Sequence, residues 1–527
     1  MTYTRAATSG RIDLARLALV AALLALVAGA WVQYRYGYTP GAFTALGGDD
    51  AYISFRYARN LFEGHGLVFN PGERVEGYSN LLFVLLTVPA FLVGASFAWP
   101  WSCLLNVVFT AGTVMLIHRH VAARCGWKFA AVAAGLLVAH PVQWYWPTTG
   151  METSLVVLLQ VATWCLSVRQ AERPRRGVLA ALAAVAVLCV MVRADGIVPP
   201  AVAALYLYCQ GRRRDAAVLA AVAGATLAAL TLWRLSYYGL PLPNTYYAKV
   251  YDDPLIRAGI AGRQLLGMIV SPGIGVFIVA CLVGVTLNAR SILTARSLTA
   301  VRFEPLLAAT LIAYYVYVGG DFMGERFLLA CVPLGTVLAL SWFRDDTAKL
   351  LTAAAFLLTM QGSLLLTEAR FTYAADKRDL WVTLGRFLGE RHSEAVLAAA
   401  HIGKLAYFSG LPTIDMLGLT DPVIARAPVR AGWNAAPGHG KYDPGYVLGR
   451  APELIAEWVA DDNFNLFRDM GREAWEGAGY RVKYLVSPLS NVILDVDGMN
   501  QDAMSRLRRR GYIFAVLWRP PVHPTQP

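Results

Sequence analysis

The chain has 527 residues, 57% of them hydrophobic and only 16% charged, with a formal net charge of +12. A soluble protein of this size needs more polar surface, and several apolar runs approach the roughly 20 residues that cross a bilayer; the composition therefore excludes an ordinary soluble enzyme and indicates a polytopic membrane protein. The basic excess does not point to nucleic acid, because many Lys and Arg lie in short loops between apolar runs, where they set orientation.

The first run, Leu14 to Trp31, follows Arg5, Arg11 and Arg16. It is long and lacks a clear small-residue cleavage site, so an uncleaved span with an inside N-terminus is preferred to a signal peptide. Taking basic loops as cytoplasmic places His118–Lys128, Arg169–Arg176, Arg212–Arg214, Arg290–Arg302 and Arg344–Lys349 inside. The loops left outside are Gly47–Ser79, Trp144–Thr153, Arg193–Gly196, Tyr237–Arg263 and Gly319–Arg326, which are rich in aromatic, Gly, Pro and acidic residues. Two spans at 80–98 and 101–118 would put the His118–Lys128 loop on the wrong side. Residues 80–98 are therefore read as a juxtamembrane helix in the outer interface, following the outer loop 35–79. About eleven spans remain: 14–34, 101–118, 129–146, 154–169, 178–193, 196–211, 216–236, 267–287, 303–318, 327–343 and 349–366. The odd number leaves the C-terminus outside.

Residues 1–366 thus form a membrane module, and at about 367 the composition changes. Ala395–Ala400, Pro412–Leu417, Val482–Val486 and Ile513–Trp518 read as strands, and His401–Ser409, Pro452–Val459 and Gln501–Arg510 as helices. The expectation is a soluble α/β domain over 367–527, outside the membrane, ending in a loose tail, Pro520–Pro527. The seven cysteines are scattered singly and none falls in the last third, so neither disulfides nor a zinc knuckle is expected. No Walker loop, GxSxG elbow or HExxH helix stands in a suitable place.

Charges near a bilayer are costly unless solvated or paired, so the outer clusters carry the functional reading. The first runs from Gly47-Gly48-Asp49-Asp50 through His65 to Glu76. Adjacent carboxylates raise each other's pKa, and one can act as a base while the other orients it. The alternative is that Asp49 and Asp50 cap the helix starting near Ala51. In Pro147-Thr148-Thr149-Gly150-Met151-Glu152, Glu152 either faces substrate or sits near a helix N-terminus capped by Thr149 or Gly150. Arg193 and Asp195 make either a paired turn or a phosphate clamp. In the stretch Leu242-Pro243-Asn244-Thr245-Tyr246-Tyr247-Ala248-Lys249, Lys249 is a candidate phosphate partner and Asn244 a candidate sugar ligand, while the tyrosines fit an interfacial belt. Asp321, Glu325 and Arg326 crowd one glycine-rich turn, more charge than a connector needs. Asp415, Asp421 and His439 read either as the roof of an acceptor cleft or as capped and solvated loop residues.

Together DDAYISFRYARNLFEGHGLVFNPGERVEGYSN, PTTGMET, RADG, LPNTYYAK, GGDFMGERF and DMLGLTDP resemble the terminal β-(1→2)-arabinofuranosyltransferases, within the GT-C class of membrane glycosyltransferases. The resemblance implies an inverting transferase of the bacterial inner membrane, with its C-terminal domain on the periplasmic side. It would move a sugar, D-arabinofuranose foremost, from a polyprenyl monophosphate to an envelope glycan, glycolipid or protein. It maps the proposed base onto Asp49 or Asp50, with a lean to Asp49. Arg193, Lys249 and Arg326 are then the expected phosphate ligands, and His65, Glu76, Glu152, Asp195, Asn244, Asp321, Glu325, Asp415 and His439 the expected substrate contacts. No cofactor is required, and a divalent ion is compatible. The rival readings are a transporter or flippase, with charges at the midplane of broken helices, and a non-enzymatic envelope scaffold.

Overall fold

The computed structural model describes residues 14–36, 48–250, 253–270, 273–342, 345–367, 379–430, 438–488 and 490–520. The expectations for Arg5, Arg11, Arg344 and the tail beyond Pro520 lie outside these residues.

Helix α1 (Leu14–Tyr36) is followed by α2 (Asp49–Phe62) and α3 (Leu81–Thr87). Then come α4 (Ala98–Cys125), α5 (Trp127–Ala139), α6 (Val142–Thr149), α7 (Thr153–Glu172), α8 (Arg176–Val192), α9 (Val198–Cys209) and α10 (Arg213–Tyr238). A short α11 (Asn244–Lys249) precedes α12 (Pro254–Val270), α13 (Gly275–Ala295), α14 (Phe303–Val318), α15 (Cys331–Trp342) and α16 (Asp346–Thr367). Among the described residues, the helical segments Ala95–Cys125, Thr153–Glu172, Arg213–Tyr238 and Gly275–Ala295 are long and apolar enough to cross a membrane. Several further apolar helices are shorter.

Three expected boundaries change. The run 129–146 breaks at His140-Pro141 into α5 and α6, because a proline removes a helix hydrogen bond and disfavours helical backbone at the residue before it. The span placed at 267–287 is α13, shifted toward the C-terminus, and the amphipathic α12 stands before it as a helix of its own. The stretch 80–98 is not one helix but α3 and two 3-10 turns, Val88–Leu92 and Ala95–Phe97, with Pro89 in the first turn and Gly94 (φ 140°) before the second.

The C-terminal region holds α17 (Leu380–Arg391), α18 (Lys404–Ser409), α19 (Pro444–Gly449), α20 (Arg472–Gly477) and α21 (Gln501–Arg509) around one sheet. Its strands are β1 (Leu397–Ala399), β2 (Thr413–Asp415), β3 (Leu454–Trp458), β4 (Arg481–Ser487), β5 (Val492–Asp495) and β6 (Phe514–Trp518), in the order β2-β1-β3-β6-β4-β5. Strands β2, β1 and β3 are parallel, and β6, β4 and β5 join antiparallel. The helix expected at Pro452–Val459 is therefore the central strand β3. Leu454 and Ala456 pack on one face with α17, while Ile455 packs on the other with Trp475 and Met504. A strand buried on both faces shows no polar alternation, and its apolar run is easily taken for a helix.

The sheet region is clamped to α2 and the loop after it. Buried Arg56 on α2 donates to the carbonyls of Ala406 (2.6 Å) and Leu411 (2.7 Å), and Asn70 exchanges hydrogen bonds with the backbone of Thr413. Ile402, Ala406 and Tyr407 belong to the core of the helical part. This docking roofs one end of the helices.

Candidate active site

Residues from several of the charged clusters converge on one cavity of about 1020 Å³, mouth included. Asp50, Glu152, Arg193, Asp195, Lys249, Asp321 and Arg326 all line it, from separate stretches of chain. Each is delivered by the end of an element. Asp50 sits in the first turn of α2, Glu152 precedes α7, Arg193 closes α8, Lys249 ends α11, and Asp321 and Arg326 lie between α14 and α15. Gly150 makes the turn before Glu152 possible: its φ is +80°, and a Cβ there would meet Phe55, Trp99 and Ala51 at 3.1–3.3 Å.

Most of these charges are already matched. Arg193 bridges Glu152 (2.9 Å) and Asp195 (2.7 Å), with its guanidinium over the Phe327 ring at 4.4 Å. Asn80 holds the second Glu152 oxygen at 2.9 Å. Burial alone would raise the Glu152 carboxyl, but Arg193 and Arg326 hold it below its ordinary value. Arg326 grips Asp321 through two nitrogens, at 2.8 and 3.0 Å. Two lining side chains stand apart: neither the Asp50 carboxylate nor the Lys249 ammonium makes an ion pair or hydrogen bond with a described residue, although Lys249 Nζ lies 6.0 Å from the Phe322 ring centre. Burial depresses the Lys249 ammonium, and Asp50 is the first of the charges that counter this.

An apolar slot lined by Val156, Leu159, Val192, Val198, Pro199 and Leu311 meets the cavity at Arg193, Asp195 and Tyr314. Gln160, Cys189 and Gly196 complete its lining.

Asp49 points elsewhere. Its carboxylate accepts from the backbone N–H groups of Gly403 (3.1 Å) and Lys404 (2.8 Å), and it does not line the cavity. It therefore caps a helix, though not the one expected: it caps α18, whose own preceding residue, Gly403, has no side chain to do so. Only glycine fits there, since a Cβ would sit 1.9 Å from the Asp49 carbonyl oxygen. Burial pushes Asp49 up to about 6 despite these amide donors.

Several expected contacts also lie outside the cavity. His65 is exposed, 3.9 Å from Glu63. Glu76 is buried against Arg234, with both carboxylate oxygens within 3.0 Å of its Nε. Asn244 donates to the carbonyls of Gly418 (2.8 Å) and Leu419 (3.1 Å), so it fastens a loop. Asp415 accepts from Leu417 N and Thr420 N, both at 2.8 Å, and burial lifts it to about 6. Glu325 is raised by burial and is not a lining residue, while His439 stands edge-on to the lining ring of Phe322 at 4.8 Å. Thr149 and Gly150 do not cap α7: the Thr149 hydroxyl bonds the Trp146 carbonyl, and Glu152 itself precedes the helix.

Sequence reasoning missed Asn80, Tyr314 and Phe327 as lining residues, and Arg234, Asp379 and Lys404 as buried charges. Arg234 had a signal, as the lone charge in an otherwise apolar stretch, 216–236. Asn80 and Phe327 close the stretches DDAYISFRYARNLFEGHGLVFNPGERVEGYSN and GGDFMGERF, while Tyr314, within an apolar run, had no signal.

A family described as a domain of unknown function, DUF8728, matches residues 368–487. The terminal β-(1→2)-arabinofuranosyltransferase of Mycobacterium tuberculosis is 29% identical, over 55% of this chain and 51% of that protein. The chain thus spans about half the length of this curated relative. Among solved structures, the Archaeoglobus fulgidus oligosaccharyltransferase in complex with Zn and sulfate superposes with a TM-score of 0.57 at 12% identity, covering 91% of this chain and 72% of that one. ArnT from Cupriavidus metallidurans bound to undecaprenyl phosphate gives 0.52 at 11% identity, covering 97% and 100%. At such identities the likeness shows the fold, the helical arrangement of GT-C membrane glycosyltransferases that the sequence resemblance implied.

Proposed function

We propose that this protein is an inverting glycosyltransferase of the bacterial inner membrane, moving a sugar from a polyprenyl monophosphate to an envelope glycan on the outer face. The observation that carries the reading is the cavity itself, which matches two guanidiniums with acids and leaves one carboxylate, Asp50, and one ammonium, Lys249, facing the same space. The named relative transfers arabinofuranose, and ArnT was solved with undecaprenyl phosphate. These names support a lipid-linked donor, with D-arabinofuranose the first sugar to test.

In this mechanism the polyprenyl chain lies along the apolar slot and delivers its phosphate to Lys249. Arg193 and Arg326 already spend two nitrogens each on carboxylates, so their remaining N–H groups assist. The acceptor hydroxyl gives its proton to Asp50 while its oxygen attacks the anomeric carbon from the face opposite the phosphate. The bond between that carbon and the phosphate oxygen breaks, and polyprenyl phosphate leaves with the electron pair. Asp49 is a positioning residue that holds α2 against α18.

A divalent ion lacks a ready ligand set: among the described residues no three His, Cys, Asp or Glu side chains converge, and the cavity acids other than Asp50 are engaged by arginine. No step is routed through a metal here. We further assign α1, α4, α5, α7 to α10 and α13 to α16 as the eleven spans, residues 1–366 as the membrane module and 367–527 as a periplasmic domain. A transporter would bury its charges at the midplane of broken helices, whereas here they cluster at helix ends beside the roof. The test is to incubate purified full-length protein in detergent with radiolabelled polyprenyl-phosphate pentose and candidate acceptors. Transfer with inverted anomeric configuration is expected; movement of intact donor across a vesicle membrane without transfer would overturn the reading.

A further inference from the structure

A second cavity, of about 350 Å³, adjoins the first. Tyr246, Tyr247, Tyr317, Arg257, Arg426 and Lys441 line it. Tyr246 and Val250 line both cavities, so the C-terminal end of α11 is the partition between them. Its volume falls within the range of small-molecule sites, roughly 300–1,000 Å³.

The composition of this wall is selective. Three side chains are cationic and three are phenolic, and no carboxylate is among the described residues lining it. The arginines are seated rather than waving: Arg426 lies over the Tyr247 ring at 4.8 Å and donates to the Pro422 carbonyl at 2.8 Å. Arg257 lies over the Tyr317 ring at 5.0 Å and donates to the Tyr317 carbonyl at 2.7 Å. A guanidinium fixed in this way has already lost its rotamer freedom and presents its other N–H groups as a rigid fork, which suits phosphate or carboxylate. Tyrosine faces beside such forks suit the C–H faces of sugar rings. The reaction cavity differs in this respect, because its arginines are neutralised by acids.

We infer that this second cavity binds the acceptor, and that the acceptor is an anionic glycan, carrying a phosphate or carboxylate near the sugar that is extended. The inference rests on the transferase reading above and adds the acceptor's charge and its route, past Tyr246 toward Asp50. The Tyr246 and Tyr317 hydroxyls stand 3.5 Å apart at this passage, so a sugar must separate them to enter.

The test measures binding to the purified full-length protein without donor. Two fluorescent oligosaccharide pairs serve as probes: one bearing a terminal phosphomonoester and its phosphatase-treated form, the other bearing a uronic acid and its carboxyl-reduced form. At least one charged probe is expected to bind about tenfold or more tightly than its neutral partner. The double variant Arg257→Gln, Arg426→Gln should erase that preference, and Arg257→Lys, Arg426→Lys should keep most of it, which separates lost charge from lost fold. Which pair responds identifies phosphate or carboxylate. Equal binding within both pairs, or a preference that survives the glutamine variant, overturns the inference. The variant Asp50→Asn should bind the probe normally while losing transfer. Transfer surviving in it would remove the base without touching the acceptor site.

Discussion

The reaction cavity and the C-terminal sheet region both bury charge, but they settle it differently. In the sheet region Lys404 and Asp379 form a fully buried pair at 2.6 Å, and Asp379 also caps α17 through the amides of Trp381 and Val382. Glu457 on the central strand is paired with Arg468. These two buried acids each have a cationic counterpart, in pairs that tie the sheet to its neighbouring elements. In the cavity the same rule holds for Arg193 and Arg326 but stops short of Asp50 and Lys249. Matched charge builds; charge left over, facing a cavity, is what a substrate can meet.

The largest expected effect breaks this contrast at its centre. Asp50→Asn should lower transfer by about 100- to 10,000-fold, the usual reach of a general base, with thermal stability unchanged because no described partner is lost. Asp49→Ala should do the reverse, costing about 0.5–2 kcal/mol of stability as a lost cap does while leaving measurable transfer. Equal loss of activity in both, with folding intact, would return the base to Asp49. Next in size, Asp379→Asn leaves Lys404 buried without its carboxylate and should destabilise the chain by about 3–5 kcal/mol, read as a drop in the unfolding midpoint in detergent. Little change there would mean that this pair does not hold the roof.

Lys249→Met should weaken donor binding by about 10- to 100-fold, as for a lost charged hydrogen bond, with a smaller change in kcat; an unaltered donor KM would take the phosphate away from Lys249. The smallest effect is one of pH. Asp49 and Asp415 are both lifted from 3.8 to about 6 by burial. The folded chain therefore holds protons that the unfolded chain has released between about pH 4 and 6, and their stabilising contribution, present in acid, is lost as pH rises through about 6. The melting temperature should fall as pH goes from about 5 to about 7.5, and Asp415→Asn should shallow that slope. A steeper slope in the variant would contradict the assignment.

Much of this was legible in the sequence because membrane physics is strict. Apolar length marked the helices, and charge at their ends marked Asp50, Glu152, Arg193, Asp195, Lys249, Asp321 and Arg326, which line one cavity. What the sequence hid was three-dimensional. Asp49 and Asp50 are adjacent, yet one turns to the amides of Gly403 and Lys404, some 350 residues away, and the other to the cavity. Asn244 looked like a sugar ligand because an exposed amide would be one; packing beneath the 418–421 loop made it a fastener. Glu76 met Arg234 across the helices, a pairing that no local pattern announces. The strand β3 failed for the opposite reason, since burial on both faces erased the alternation that identifies a strand.

The most direct measurement is a structure of the full-length protein with a non-transferable polyprenyl-phosphate sugar analogue and an acceptor oligosaccharide. The account predicts the phosphate against Lys249 Nζ, the polyprenyl chain in the slot below Arg193, and the acceptor hydroxyl within hydrogen-bond reach of Asp50, about 2.6–3.2 Å. A phosphate seated away from Lys249, or an acceptor hydroxyl turned to any carboxylate other than Asp50, would contradict it.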